Sequence, residues 1–140
     1  MQGYFDGGAK GNPGIAGAGW VIYDAFNNIV MCGTVYVGDY ETNNTSEYQG
    51  LIHLLEYAKS VGITEINIYG DSKLVIQQVQ NRFKCNQPHL ILLRDKARAL
   101  MDSVECRFTH VPRALNAVAD KLSNIAMKNH ETKIGLDLLE

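Results

Sequence analysis

The sequence predicts an α/β domain, with a five-stranded mixed sheet and helices packed on its faces. Three observations predict it. The first forty residues hold three apolar runs of strand-like composition, separated by short turn-forming stretches. From Tyr48 onward, apolar residues recur at helical spacing in separate stretches. Two further strand-like runs, Glu65–Gly70 and Val104–Val111, are interleaved with those helical stretches. Short turns favour antiparallel hairpins, and helical crossovers imply parallel pairing. The sheet is therefore expected to hold three antiparallel strands followed by two parallel ones.

The first strand runs from Met1 to Phe5 and delivers Asp6 into a glycine-rich bend, Gly7 to Gly14. The second covers Ala16 to Tyr23. Asn27 and Asn28 mark a turn into the third, Ile29 to Val37, and Gly38 to Asn44 reads as a polar loop. Tyr48, Leu51, Ile52, Leu55 and Ala58 then form one apolar stripe of a helix. Asn43, Asn44 and Thr45 are its candidate N-caps and Gly62 its stop, which puts Glu47 in the first turn, where the helix dipole favours a carboxylate. The alternating strand Glu65–Gly70 ends at Asp71. Ser72 to Val79 reads as a short helix capped by Asp71 or Ser72, and Asn81 to Gln87 as a connector. Pro88 suits the first turn of a helix whose stripe is Leu90, Leu93, Ala97 and Leu100. In the fifth strand Val104, Cys106 and Phe108 share a face, and Pro112 ends it. The last helix starts near Asn116, buries Val118, Leu122, Ile125 and Ala126, and keeps Asp120 close to its start. Residues 1–128 are expected to form one domain. The tail, 129–140, is polar and then apolar at Ile134 and Leu136–Leu139, a pattern that suits docking on that domain.

The 140 residues suit one domain with one core, and 46% apolar with 20% charged residues suits a globular chain. No apolar run is long enough to span a membrane. The chain enters a strand pattern at once, without a basic-then-apolar leader, so a cytoplasmic location is expected. Three cysteines at wide spacing, with no CxxC, point to reduced thiols. The four histidines are equally dispersed, and zinc-ligand spacing is absent. A net charge of −2 argues against a large basic footprint but leaves room for a local basic edge beside an acidic site.

Four carboxylates fall where elements begin or end: Asp6, Glu47, Asp71 and Asp120. Each alone has a plainer reading as a turn former, a dipole-matched surface acid, an N-cap or a solvated helix acid. As a set they suggest more. Strand ends in open α/β sheets gather at one edge, where ligands bind. Four acids collected there repel one another unless cations sit among them. An all-oxygen donor set favours Mg²⁺ or Mn²⁺. Two such ions roughly 4 Å apart form a clamp for in-line attack on a phosphodiester. The glycine stretch is not a P-loop, because the Gly-Lys-Ser/Thr ending is missing.

The chain resembles a type 1 ribonuclease H. The resemblance rests on Phe5-Asp6-Gly7-Gly8 with Gly11-Asn12-Pro13-Gly14, on Thr42-Asn43-Asn44 leading to Glu47, on Gly70-Asp71-Ser72, and on Asn116 followed by Asp120. These pieces occur in the family's order over residues 3 to about 127. His110-Val111-Pro112-Arg113 and Asn116-Ala117-Val118-Ala119-Asp120 resemble the archaeal and plant-like subgroup. The resemblance implies a ribonuclease H-like fold and cleavage of the RNA strand of an RNA–DNA hybrid by a monomer, leaving 5′-phosphate and 3′-hydroxyl ends. Asp6, Glu47, Asp71 and Asp120 would hold two Mg²⁺ ions, or Mn²⁺ in their place. Gly7, Gly8, Asn12, Asn43 and Asn44 would meet the substrate, the asparagines in its minor groove, and Thr42 would meet a DNA phosphate. His110 aligns with a mobile histidine that helps product leave, or is a buried or strand-end residue beside Phe108. The segment Val111–Leu115 is shorter than the bacterial loop, and Arg82-Phe83-Lys84 is a poor substitute for the basic protrusion of some bacterial members. Two rival readings keep the fold: a binding module without catalysis, and a nuclease for other duplexes or single strands.

Overall fold

The computed structural model describes residues 1–140. The first hairpin pairs β1 (Gln2–Lys10) with β2 (Gly14–Tyr23), and β2 pairs with β3 (Ile29–Glu41), all antiparallel. Helix α1 (Asn43–Ser60) crosses to β4 (Glu65–Gly70), which lies parallel to β1. Helices α2 (Lys73–Val79) and α3 (Pro88–Met101) lead to β5 (Glu105–His110), parallel to β4. A 3₁₀ turn at Arg113–Leu115 precedes α4 (Ala117–Asn129). No helix is long and apolar enough to cross a membrane.

The sheet has six strands, not the expected five, in the order β5-β4-β1-β2-β3-β6. The added strand, β6 (Lys133–Ile134), pairs antiparallel with the edge of β3. Two residues are too few to carry a period, so no strand signal is legible there. The β3 edge is satisfied by Lys133 N–H to Thr34 Oγ1 (3.2 Å), Tyr36 N–H to Thr132 Oγ1 (2.9 Å) and Gly135 N–H to the Cys32 carbonyl (3.1 Å). Leu138 and Leu139 then pack on Val21, Cys32 and Leu122.

The main core lies between the sheet and helices α1–α3. Phe5, Trp20, Ile22 and Ile68 meet Tyr48, Leu51, Leu54 and Leu55 of α1 there, all fully buried or nearly so. The predicted α1 stripe is buried at every position. Helix α4 covers the opposite face over β1, β2 and β3. Burial of this apolar area, at about 25 cal/mol per Å², is the main force that clamps the two helical layers onto the sheet.

β3 runs on to Glu41 instead of ending at Val37, so the expected Gly38–Asn44 loop shrinks to Thr42, because pairing with β2 continues as far as Glu41–Gly14. Two further boundaries differ from expectation and bear on the site. β1 does not end at Phe5. It continues through Asp6-Gly7-Gly8-Ala9-Lys10, with Asp6 paired to Gly19 and the turn confined to residues 11–13. Parallel pairing with β4 does stop at Phe5–Gly70. Asp6 therefore sits mid-strand, at the point where β1 and β4 part. Glycines 7 and 8 serve the strand rather than a bend. The α1 cap is Thr42, whose hydroxyl accepts from Thr45 N–H (3.2 Å), and not residues 43–45. Glu47 thus falls beyond the first turn, where its position owes nothing to the dipole.

Candidate metal centre and cleft

Asp6 reaches the site from β1, Asp71 from the exit of β4 and Glu47 from α1. Their carboxylates converge, with one oxygen from each within 4.8 Å of the others. The convergence depends on how closely α1 lies on β1. A Cβ on Gly50 would stand 2.7 Å from the Asp6 carbonyl oxygen, and a Cβ on Gly7 would overlap the backbone of Ser46 and Glu47. Glycine at both positions lets helix and strand touch backbone to backbone. Glu47 Oε1 then accepts from Gly7 N–H at 2.8 Å.

Asp120, in the first turn of α4, lines the same cleft but stands outside that trio. Its Oδ1 lies 3.6 Å from the exposed Arg113 guanidinium. The cleft has a volume of about 750 Å³ and is lined mostly by polar side chains and glycine backbone.

Burial dominates the electrostatics. It pushes the Asp6 carboxyl up to about 7, opposed by hydrogen bonding from Glu47 and reinforced by the charge of Asp71. Glu47 is held well above the usual carboxylate range, first by burial and then by Asp6 and Asp71. Its second oxygen, Oε2, is buried with no hydrogen-bond partner. Converging acids that resist ionisation, with one orphaned oxygen, fit a divalent cation that would neutralise the charge and take the free lone pairs.

A reverse transcriptase-like family model matches residues 4–126. The chain is 41% identical over 128 residues to the ribonuclease HI of Halobacterium salinarum, covering 91% of this chain and 64% of that protein. It superposes on the crystal structure of RNase H1 from that archaeon with a TM-score of 0.86 at 40% identity, covering 91% of this chain and 97% of the other. The chain belongs to the type 1 ribonuclease H family. It also superposes on LC11-RNase H1, solved in complex with an RNA/DNA hybrid, with a TM-score of 0.86 at 35% identity, covering 92% of this chain and 97% of that one. A further relative, the bifunctional protein Rv2228c of Mycobacterium tuberculosis, is 42% identical over 123 residues, which cover 87% of this chain and 34% of that protein. This chain thus spans just under two thirds of one curated relative and about a third of the other.

Gly7, Gly8, Asn43 and Asn44 line the cleft with the acids. Asn12 and Thr42 do not line it. Asn12 Oδ1 accepts from Asn43 N–H (3.0 Å), and Asn43 Oδ1 accepts from Ala9 N–H (2.8 Å). The two asparagines tie the β1–β2 turn to the start of α1. Those bonds occupy the oxygens and leave the Asn43 amide N–H groups as its free donors. His110 is exposed at the end of β5, not buried beside Phe108. Its Nε2 lies 3.2 Å from the Asp71 carbonyl oxygen, so Nε2 carries the proton and Nδ1 is the acceptor when the ring is neutral.

Several lining residues escaped the sequence reading: Lys10, Arg113, Ser123, Asn124 and Met127. The last three lie three, four and seven positions after Asp120. That spacing places them on one face of α4 and was a usable signal. Arg113 stands in the His110-Val111-Pro112-Arg113 motif, but its place at the cleft depends on the 3₁₀ turn. Arg82, Phe83 and Lys84 are exposed between α2 and α3 and do not line the cleft.

Proposed function

We propose that this chain is an endonuclease that hydrolyses the RNA strand of RNA–DNA hybrids, leaving 5′-phosphate and 3′-hydroxyl ends. The observation that carries the reading is the meeting of Asp6, Glu47 and Asp71, from three separate elements, around a buried and unpartnered oxygen. Asp6, Glu47, Asp71 and Asp120 would hold two Mg²⁺ ions, with Mn²⁺ as a substitute. A bound pair of this kind supplies the positive charge that favours ionisation of the attacking water and stabilises the leaving 3′ oxygen.

The chain's own groups supply position and selectivity. Gly7 N–H fixes Glu47 through Oε1, leaving Oε2 as an acceptor for a cation or a ribose 2′-hydroxyl. The Asn43 amide offers donors to acceptors in the minor groove, already oriented by its bond from Ala9. Nδ1 of neutral His110 can take a proton at the rim of the cleft while Nε2–H stays on the Asp71 carbonyl. The three free thiols suit a reducing compartment, and we read the chain as a cytoplasmic monomer.

The test is a cleavage panel of end-labelled RNA–DNA hybrid, double-stranded RNA, single-stranded RNA and double-stranded DNA, each with Mg²⁺, Mn²⁺ or EDTA. Cutting confined to the hybrid and lost in EDTA is expected. Binding without cutting would favour a non-catalytic module, and cutting of the other substrates a broader nuclease.

A second expectation concerns pH. Asp6 and Glu47 keep their protons in the folded protein at pH values where the unfolded chain has lost them. The folded state then binds more protons, so stability falls as pH rises from the ordinary carboxylate range through about 7. In EDTA, Tm should be higher at pH 5 than at pH 8. Mg²⁺ should raise Tm more at pH 8, where fewer protons compete with it for these acids. Equal Mg²⁺ shifts at both pH values would count against the site.

A further inference from the structure

Asn116 precedes α4 and is 1% exposed. Asparagine is a favoured N-cap because its side-chain oxygen can accept from the helix's unpaired N–H groups. Asn116 makes no such bond. Its Nδ2 instead donates to the Phe5 carbonyl oxygen at 2.9 Å, and its Oδ1 is buried without a partner. A residue selected only to start the helix would use that oxygen, as serine, threonine or aspartate does. The arrangement gives up a cap and leaves a buried acceptor unmet for the sake of one bond to β1.

That bond falls at a particular peptide. The Phe5 carbonyl and the Asp6 N–H belong to one planar unit, so holding the oxygen holds the plane from which Asp6 departs. Phe5 is also the last residue of β1 in register with β4, so the strand loses its β4 partner there. At its other end, the Asn116 carbonyl accepts from Asp120 N–H at 3.0 Å. Two hydrogen bonds through one residue therefore link the backbone of Asp6 to that of Asp120, across 111 positions of sequence between Phe5 and Asn116.

We infer that Asn116 is a positioning residue that sets the carboxylate of Asp120 on α4 against that of Asp6 on β1, using its side-chain amide as a strut in place of a helix cap. The inference rests on the proposed function. Ligand-orienting groups of this kind typically change metal affinity or activity by about 10–100-fold when removed.

The test compares wild type with Asn116→Ser and Asn116→Thr, both good N-caps that cannot reproduce the strut. Three quantities are read: Tm in EDTA, binding of Mn²⁺ to the substrate-free protein by calorimetry, and kcat, KM and half-saturating Mg²⁺ on hybrid. The expected result is a Tm near wild type, Mn²⁺ affinity and kcat each lower by about 10-fold, a raised half-saturating Mg²⁺ and an unchanged KM. Wild-type metal affinity and kcat in either folded variant would overturn the inference. So would a lowered Tm with unchanged Mn²⁺ affinity in the folded protein, which assigns Asn116 a structural role only. If wild type itself fails to cut hybrid, the functional reading fails, while the Mn²⁺ titration still decides whether Asn116 aligns the acids.

Discussion

Asp6→Asn is expected to lower hybrid cleavage by more than about a thousandfold, or ~4 kcal/mol of transition-state stabilisation, while the fold stays intact. Asparagine keeps the size and one acceptor oxygen but removes the charge that a cation needs. Asp6 is central because it is coupled to every other member: after burial, hydrogen bonding with Glu47 opposes its upward shift, while Asp71 and Asp120 reinforce it. The variant also loses a group that destabilises the metal-free protein at high pH. Its Tm in EDTA at pH 8 should therefore match or exceed wild type, and the Mg²⁺-dependent rise should shrink. Asp71→Asn should behave alike, since Asp71 belongs to the same trio. Asp120→Asn should cost less, about 10–100-fold, because Asp120 stands outside the trio and already faces Arg113. Steady-state cleavage with near-ultraviolet dichroism checks all three. Retention of more than a tenth of wild-type activity by Asp6→Asn would remove the proposed centre.

Two of the acids were legible from local pattern. Asp71 comes directly after a short alternating strand, and Asp120 stands four residues after Asn116 at a helix start. Glu47 is legible as a member of the set, but its expected first-turn place does not hold: Thr42 caps the helix and Glu47 is placed by packing against Gly7. The glycines carried an ambiguity that local sequence cannot resolve. A glycine that bends a chain and a glycine that admits a neighbouring backbone look the same until the neighbour is known. Gly11 does the first, with φ of +90°, and Gly7 the second. β6 was hidden for a similar reason, since its pairing is decided by the open edge of β3 and not by Lys133 and Ile134 themselves. His110 could be aligned from sequence, but its exposure depends on where β5 ends and on the Asp71 carbonyl beside it. Local patterns placed residues on elements; contacts between elements, which make the site, had to be seen.

Gly7→Ala carries the second large effect and tests that last point. A Cβ at position 7 would lie 2.5 Å from the Ser46 carbonyl oxygen and overlap the adjoining backbone atoms of Ser46 and Glu47. No side-chain rotation relieves a clash with backbone, so α1 must lift from β1 at the residue that carries Glu47. Overpacking of this kind costs about 1–3 kcal/mol. A displacement of about 1 Å at a catalytic group costs on the order of 100-fold in rate. Both losses are expected together, with Tm falling and kcat dropping by about 100-fold. Gly8→Ala supplies the contrast in stability, because its Cβ would meet only Met127 Cε, at 3.8 Å. Its stability should stay within about 0.5 kcal/mol of wild type. Thermal melts of the two variants side by side check the argument. A Gly7→Ala protein as stable as Gly8→Ala would mean that α1 does not press on β1 at this point, and the source of Glu47's burial and of its bond from Gly7 would have to be sought elsewhere.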